Sequence, residues 1–155
     1  MDKKKQRKKI RTAGKFLFVL YVIFLIYFLI FSDWYGRGNT MDGYRYNLVP
    51  FKEIERFWQY RETLGWRGMA NLFGNIVLFI PFGFFLPMAS RYKSFFVTTF
   101  FSFSLSFLVE TFQLLSKVGI FDVDDLILNT LGGILGYIIY MIGRSIRRSI
   151  NGKGR

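Results

Sequence analysis

The residues best suited to chemistry in this chain are carboxylates and amides that stand beside apolar runs. Three acids, Asp122, Asp124 and Asp125, lie within four residues and lead directly into a strongly apolar stretch. On a helix of 100° per residue, two of these acids would share a face with an amide and three glycines, while Asp124 would point the other way. That shared face consists of Asp122, Asp125, Asn129, Gly132, Gly133 and Gly136. It offers two carboxylates and an amide, followed by bare backbone that suits close helix packing.

A second source of polar side chains is the Phe-rich segment that precedes the acids. Its polar residues fall within an arc of about 80° on a helix, a stripe that lipid alone would not favour. The stripe consists of Ser102, Ser106, Glu110 and Gln113. An ionisable residue inside a membrane span is by default a functional candidate with a partner in the bundle, so Glu110 is the strongest single candidate. Asn75 lies at the same expected depth on the preceding apolar segment.

These residue types suit acid–base chemistry or cation binding. Glu110 would act as the general acid or base, with Asp122 or Asp125 as its opposite, since membrane burial would make the acids differ in acidity. Carboxylates with amides could also hold Mg²⁺ or Ca²⁺, although no firm metal site is predicted and no cofactor is required. The chain has no Cys and no His, which excludes thiol catalysis, imidazole bases and the usual zinc sites.

Composition fixes the class of protein that must position these residues. Hydrophobic residues make up 52% of the chain, and the charges are confined to short blocks between apolar runs. The pattern predicts an all-α integral membrane bundle of four transmembrane helices, forming one membrane domain over residues 16–143. The four spans are predicted at residues 16–33, 71–89, 94–115 and 126–143. The first is predicted to be an uncleaved anchor, because bulky aromatic residues rather than a small-residue cleavage site follow it.

The distribution of basic residues predicts the orientation. Eight lie in the N-terminal segment 1–15, two between the second and third spans, and five in the tail 144–155. The loop 34–70 and the connection 116–125 instead carry acids alongside their basic residues. By the positive-inside rule both termini are cytoplasmic and these two connections face outward. The net charge of +12 is therefore attributed to topology and to an anionic inner leaflet, not to nucleic acid.

The outer loop 34–70 is predicted to contain an interfacial amphipathic helix between spans 1 and 2. Pro50 stands near its start, Gly65 at its stop, and one face carries apolar side chains. That face consists of Phe51, Ile54, Phe57, Trp58 and Leu64. Arg61 falls in the middle of this face, and we expect it to reach Glu110 and Asp125. The predicted ligand-binding residues are thus Asn75, Glu110, Gln113, Asp122, Asp125, Asn129 and Arg61.

Four sequence motifs, in this order, resemble the VanZ-like family. They are NLVPF at 47–51, NLFGNIVLFIPFGF at 71–84, ETFQ at 110–113 and FDVDDLILNTLGGILG at 121–136. The resemblance covers about residues 45–140. It implies a small multi-span protein of bacterial cell membranes, similar to the accessory protein that gives low-level resistance to the lipoglycopeptide teicoplanin. Many members of this family carry an arginine in the loop before the last motif. In this chain the corresponding segment 116–120 contains no arginine, and Lys117 is only an approximate substitute.

Two classes of function follow from the residues and the resemblance. In the first, an outward pocket of acids and amides binds a lipid-linked cell-wall precursor, a lipid head group or the drug itself, and so lowers the drug's access to its target. The alternative is a membrane-embedded enzyme that acts on a lipid head group by carboxylate or Mg²⁺/Ca²⁺-assisted chemistry. Transport ranks third and would require a homo-oligomer, with Gly132/Gly136 or Gly136/Gly143 as the contact.

Overall fold

The computed structural model describes residues 3–31, 43–91 and 93–152, and in them it is a bundle of long helices. The elements are α1 (Lys3–Phe31), β1 (Tyr46–Asn47), α2 (Lys52–Ala89), α3 (Phe95–Ser116), β2 (Phe121–Asp122) and α4 (Val123–Gly152). Four stretches are long and apolar enough to cross a membrane. They are Thr12–Leu29, Leu72–Ala89, Phe95–Ser116 and Val123–Ile150. The predicted all-α bundle of four transmembrane helices is confirmed.

The predicted surface helix and the second span form one helix, α2, with an interruption between them. Tyr60 (φ −111°, ψ 21°) and Gly65 (φ 54°, ψ −150°) have non-helical backbone angles. A positive φ is readily adopted by Gly, so Gly65 lets the chain change direction here. Instead of stopping the helix, Gly65 separates the two segments of α2. Trp58 on the first segment and Phe51 directly before it are exposed, which fits a helix whose apolar face enters the membrane interface.

Glycines let α2 and α4 pack with their backbones almost in contact. A Cβ added at Gly136 would lie 2.0 Å from the Ile80 carbonyl oxygen, and one at Gly132 would lie 2.2 Å from that of Ile76. A Cβ at Gly83 would lie 1.9 Å from the Gly133 carbonyl oxygen. All three distances are far below van der Waals contact, so any side chain at these positions would force the two helices apart.

This close packing changes the expectation for an oligomer. The face of α4 that carries Gly132 and Gly136 is covered by α2 of the same chain. In this arrangement the two glycines contact α2 instead of a free surface, and the predicted homo-oligomer through them stays a prediction. Gly143, by contrast, has nothing within 4 Å of an added Cβ. Oligomer formation through another surface stays a prediction.

The first helix packs more loosely at the side of the bundle. Leu25 and Leu29 of α1 are buried in an apolar cluster with Phe79, Phe82 and Val109. Most other residues of its apolar stretch are exposed, and only 17% of that stretch is buried inside the protein. This helix therefore presents its surface mainly to lipid, and the polar side chains are positioned by α2, α3 and α4.

Candidate functional site

Polar side chains from three helices and two short strands gather at the N-terminal end of α4. We call this group the polar cluster. It consists of Asn47, Asn75, Glu110, Asp122, Asp124 and Asp125. The two strands bring part of it together, since β1 and β2 pair in parallel with Tyr46 opposite Phe121 and Asn47 opposite Asp122.

Asp124 is fully buried and binds the start of α2. The residue before that helix, Phe51, cannot cap it with its own side chain and has a left-handed backbone (φ 66°, ψ 4°). The two carboxylate oxygens of Asp124 accept the backbone N–H of Phe51 and, at 2.7 Å, that of Glu53. A carboxylate at this position satisfies free N–H groups and suits the positive end of the helix dipole. Asp124 is thus the N-terminal cap of a helix that begins more than 70 residues earlier.

Asp122 and Glu110 fix the segment that carries Asp124 by accepting hydrogen bonds from its backbone. Asp122 accepts the backbone N–H of Asp124 at 2.8 Å, which makes it the cap of α4 itself. Its two oxygens also accept the side-chain amide of Asn47 at 3.2 and 3.3 Å. Glu110, buried on α3, accepts the backbone N–H of Asp122 at 3.0 Å. The carboxylates of Glu110, Asp122 and Asp124 therefore link α3, β2, α4 and the start of α2 through hydrogen bonds to backbone N–H groups.

The amides link the other helix pairs. The Asn75 side-chain amide donates to Asp125 and joins α2 to α4. The Asn129 amide donates to the Ser106 hydroxyl at 2.9 Å and joins α4 to α3. Gln113 donates to the Leu29 carbonyl of α1 at 3.0 Å. Within the described part of the chain the Asn129 side-chain oxygen is buried without a protein partner, so it could accept a hydrogen bond from a water or ligand.

The predicted stripe on α3 is buried, as its spacing indicated. Ser102, Ser106, Glu110 and Gln113 are each no more than 3% exposed. Gly133 makes room for this stripe, because a Cβ there would lie 2.1 Å from the Ser102 hydroxyl oxygen. Ser102 and Ser106 therefore lie in the interface between α3 and α4, while Gln113 faces α1.

The structure brings six of the seven predicted ligand-binding residues into the bundle. The amides of Asn75, Gln113 and Asn129 and the carboxylates of Glu110, Asp122 and Asp125 all make the hydrogen bonds given above. The side chain of Arg61 lies outside the described residues, so its expected approach to Glu110 and Asp125 stays a prediction.

The carboxylates of the polar cluster are held in place by hydrogen-bond donors of the protein. Burial raises the pKa of Asp122 above its usual range, while its hydrogen bonds from Asp124 and Asn47 oppose that rise. No group of three side chains among the described residues is arranged to bind a metal ion. The candidate acids Glu110, Asp122 and Asp125 each accept a hydrogen bond from the protein, so their first role in this arrangement is to hold donors.

The family model described as VanZ/LLP1 matches residues 18–144. This chain belongs to the VanZ/LLP1 family. It is 31% identical over 137 residues to Protein VanZ of Enterococcus faecium, and the match covers 85% of this chain and 74% of that protein. No solved structure matches it. It is accordingly a VanZ-like multi-pass membrane protein.

Two members of the polar cluster were missing from the predicted site. Asp124 was expected to point away from Asp122 and Asp125, but that expectation assumed that Asp122 already lay in the helix. The helix begins at Val123, and Asp124 faces the start of α2. Asn47 belongs to the NLVPF motif of the family resemblance, yet only its pairing with Asp122 across 75 residues gives it a role.

Proposed function

We propose that this VanZ-like protein lowers the susceptibility of a bacterial cell to teicoplanin-type lipoglycopeptides, and that it does so by binding an amphiphile at the polar-cluster end of the bundle. The amphiphile would be a lipid-linked cell-wall precursor, a lipid head group or the drug. Membership of the VanZ/LLP1 family supports the phenotype. The single observation that carries the site is the convergence of α2, α3 and α4 on one group of buried carboxylates and amides.

Binding is favoured over carboxylate catalysis because the acids already hold protein donors. An acid–base residue must exchange a proton with its substrate within hydrogen-bond reach. Glu110 and Asp124 instead fix backbone N–H groups, and Asp122 also does so. Such an arrangement keeps a site rigid and pre-organised, which lowers the cost of binding a ligand.

We further propose that the polar-cluster end faces out of the cell and that both termini are cytoplasmic. The basic N-terminal segment, the Arg91/Lys93 turn and the basic tail support this orientation. The chain contains no Cys, so single cysteines can be placed freely. In intact cells a membrane-impermeant maleimide should label Val49→Cys in the connection before α2 and leave Ser149→Cys in the tail unlabelled until the cells are opened. The reverse pattern would overturn the orientation.

Drug susceptibility tests the function. A sensitive host that expresses the wild-type chain should tolerate more teicoplanin than a host with the empty vector, with a smaller change for vancomycin. Glu110→Gln, compared at matched membrane abundance, should lose this protection because it replaces a charged acceptor that holds Asp122. Equal protection by both proteins would remove Glu110 from the site, and no protection by the wild type would overturn the function.

A further inference from the structure

A groove on the lipid-facing side of α3 and α4 lies beside the polar cluster. It has a volume of about 380 Å³, and almost all of its lining is apolar. Phe103 of α3 forms one wall, and Val123, Ile127, Leu131 and Ile134 follow one side of α4. The hydroxyl of Thr130 in this lining donates to the Leu126 carbonyl at 2.7 Å, so it is already satisfied. A ligand in the groove would therefore meet hydrocarbon only.

The dimensions of the groove match one hydrocarbon chain from a single leaflet. From Val123 to Ile134 the helix rises roughly 16 Å at 1.5 Å per residue. This is about half of the 30 Å thickness of a bilayer's hydrocarbon core. Because the groove starts at the first residue of α4, the head group of a lipid in it would lie level with the polar cluster.

Aromatic rings lead from the groove to its mouth, the end at the start of α4, and the chain segments beside this end carry two cations. Phe103 stacks on Phe107 with ring centroids 6.3 Å apart, and Phe107 meets Phe121 edge-on at 5.9 Å. The N–H of Phe121 donates to the Arg45 carbonyl at 3.1 Å. The side chain of Arg45 is exposed. The Lys117 ammonium lies 5.3 Å from the ring centroid of Tyr44, the neighbour of Arg45.

The charged side chains near the mouth of the groove favour an anionic head group. The carboxylates of Asp122 and Asp124 are turned toward protein N–H donors, and Asp124 is fully buried. The Arg45 side chain is instead exposed, and Lys117 is half-buried with its ammonium over the Tyr44 ring. Guanidinium and ammonium groups are the usual partners of phosphate oxygens.

We propose that this groove and the Arg45/Lys117 pair bind a single-chain lipid phosphate, with the chain between α3 and α4 and the phosphate at the two cations. The inference rests on the proposed function and deepens it, since it names the class of amphiphile and moves head-group recognition from the acids to these cations. The acids then hold the scaffold that presents Arg45 and Lys117.

Binding in nanodiscs of phosphatidylcholine tests this assignment. The full chain is titrated with a polyprenyl diphosphate, with the chain-matched polyprenol, and with phosphatidylglycerol as a two-chain anionic lipid, and retained lipid is measured by native mass spectrometry. The diphosphate should bind at least about tenfold more tightly than either of the others, as expected for a charge-assisted phosphate contact combined with a fitted chain. If the polyprenol bound as tightly as the diphosphate, the protein would not recognise the phosphate head group. Equal binding of phosphatidylglycerol would mean general attraction to anionic lipid, and either result overturns the proposal.

Matched variants separate the groove from the rest of the surface. Leu131→Trp fills the groove, whereas Ile138→Trp adds the same side chain at a similarly exposed position outside it. The double variant Arg45→Gln/Lys117→Gln removes the cations at the mouth, and Arg147→Gln/Arg148→Gln removes two from the tail. The first member of each pair should weaken diphosphate binding about tenfold while its control stays near wild type.

Folding and function are controlled separately in this design. Variants are compared only where their thermal transitions match the wild type, and Leu131→Phe replaces Leu131→Trp if the larger ring prevents folding. Equal loss of diphosphate binding in Leu131→Trp and Ile138→Trp would show that the groove is not the binding site. A wild type that protects against teicoplanin but does not prefer the diphosphate would overturn this inference alone, and the proposed function would stand.

Discussion

The two halves of α4 differ in what they touch and in what they tolerate. From Val123 to Gly136 the helix is largely buried, and its acids, amide and glycines contact α2 and α3. From Tyr137 to Ile150, the last residue whose burial the structure describes, only Tyr140 is buried, and the surface carries exposed apolar residues and then arginines. The N-terminal half shows how polar residues can be kept inside a membrane bundle, because Asp124, Asp125 and Asn129 each form at least one hydrogen bond with another part of the protein. The C-terminal half contacts the rest of the bundle through Tyr137 and Tyr140, and most of its other apolar side chains are exposed to lipid.

The largest expected difference between the halves comes from their glycines. Gly136→Ala places a methyl group 2.0 Å from a backbone oxygen of α2, which cannot move aside as a side chain would. We expect a loss of about 3 kcal/mol or more in the free energy of unfolding and little folded protein in the membrane. Gly143→Ala, where nothing lies within 4 Å, should change stability by less than about 1 kcal/mol. Thermal unfolding in detergent measures both, and equal stability of the two variants would contradict the close packing of α2 on α4.

The cap that Asp124 provides should give the next largest effect. Asp124→Ala removes both acceptors from the start of α2 and should cost about 3 kcal/mol, since each hydrogen bond to a charged group contributes roughly 1.5–3 kcal/mol. Asp124→Asn keeps one oxygen and should lose about half as much. Glu53→Gln is the control, because Glu53 pairs with Arg56 at the surface, where such a pair contributes less than about 1 kcal/mol. If the free energy of unfolding of Asp124→Ala equalled that of Glu53→Gln, the cap would not stabilise the start of α2.

A smaller effect is expected where α4 meets the stripe of α3. Asn129 donates to the Ser106 hydroxyl, so Asn129→Leu and Ser106→Ala should each leave the other residue without its partner. In the double variant both polar groups are gone, and the two changes should be less costly together than their sum by about 1 kcal/mol. A double-mutant cycle on unfolding free energies measures this coupling. Strict additivity would show that the hydrogen bond contributes nothing.

Hydropathy and helical periodicity were enough to predict the spans, because a bilayer imposes length and apolarity on every helix. The same periodicity placed Ser106 and Glu110 inside, since polar groups on α3 avoid lipid. The contacts of Asp124 and Asn47 could not be predicted in this way. They depend on α4 starting at Val123 and on a two-residue parallel pairing between distant segments, neither of which leaves a periodic signal.

The packing of Gly132 and Gly136 illustrates a similar limit. A small-xxx-small step predicts close approach of a helix, but it does not say whether the approaching helix belongs to the same chain. Only the position of α2 decides this, and α2 covers both glycines. The family resemblance gave the fold and the protein class but no internal contacts.

The most direct measurement of the central claim compares the two halves of α4 in cells. Teicoplanin susceptibility is determined for hosts that carry the wild type, Asp125→Asn from the polar cluster, or Arg148→Gln from the C-terminal half, at equal membrane abundance. Asp125→Asn weakens the acceptor that holds Asn75, so we predict that it loses protection while Arg148→Gln retains it. Protection retained by Asp125→Asn and lost by Arg148→Gln would place the working end of the protein at the opposite side of the membrane and contradict the account.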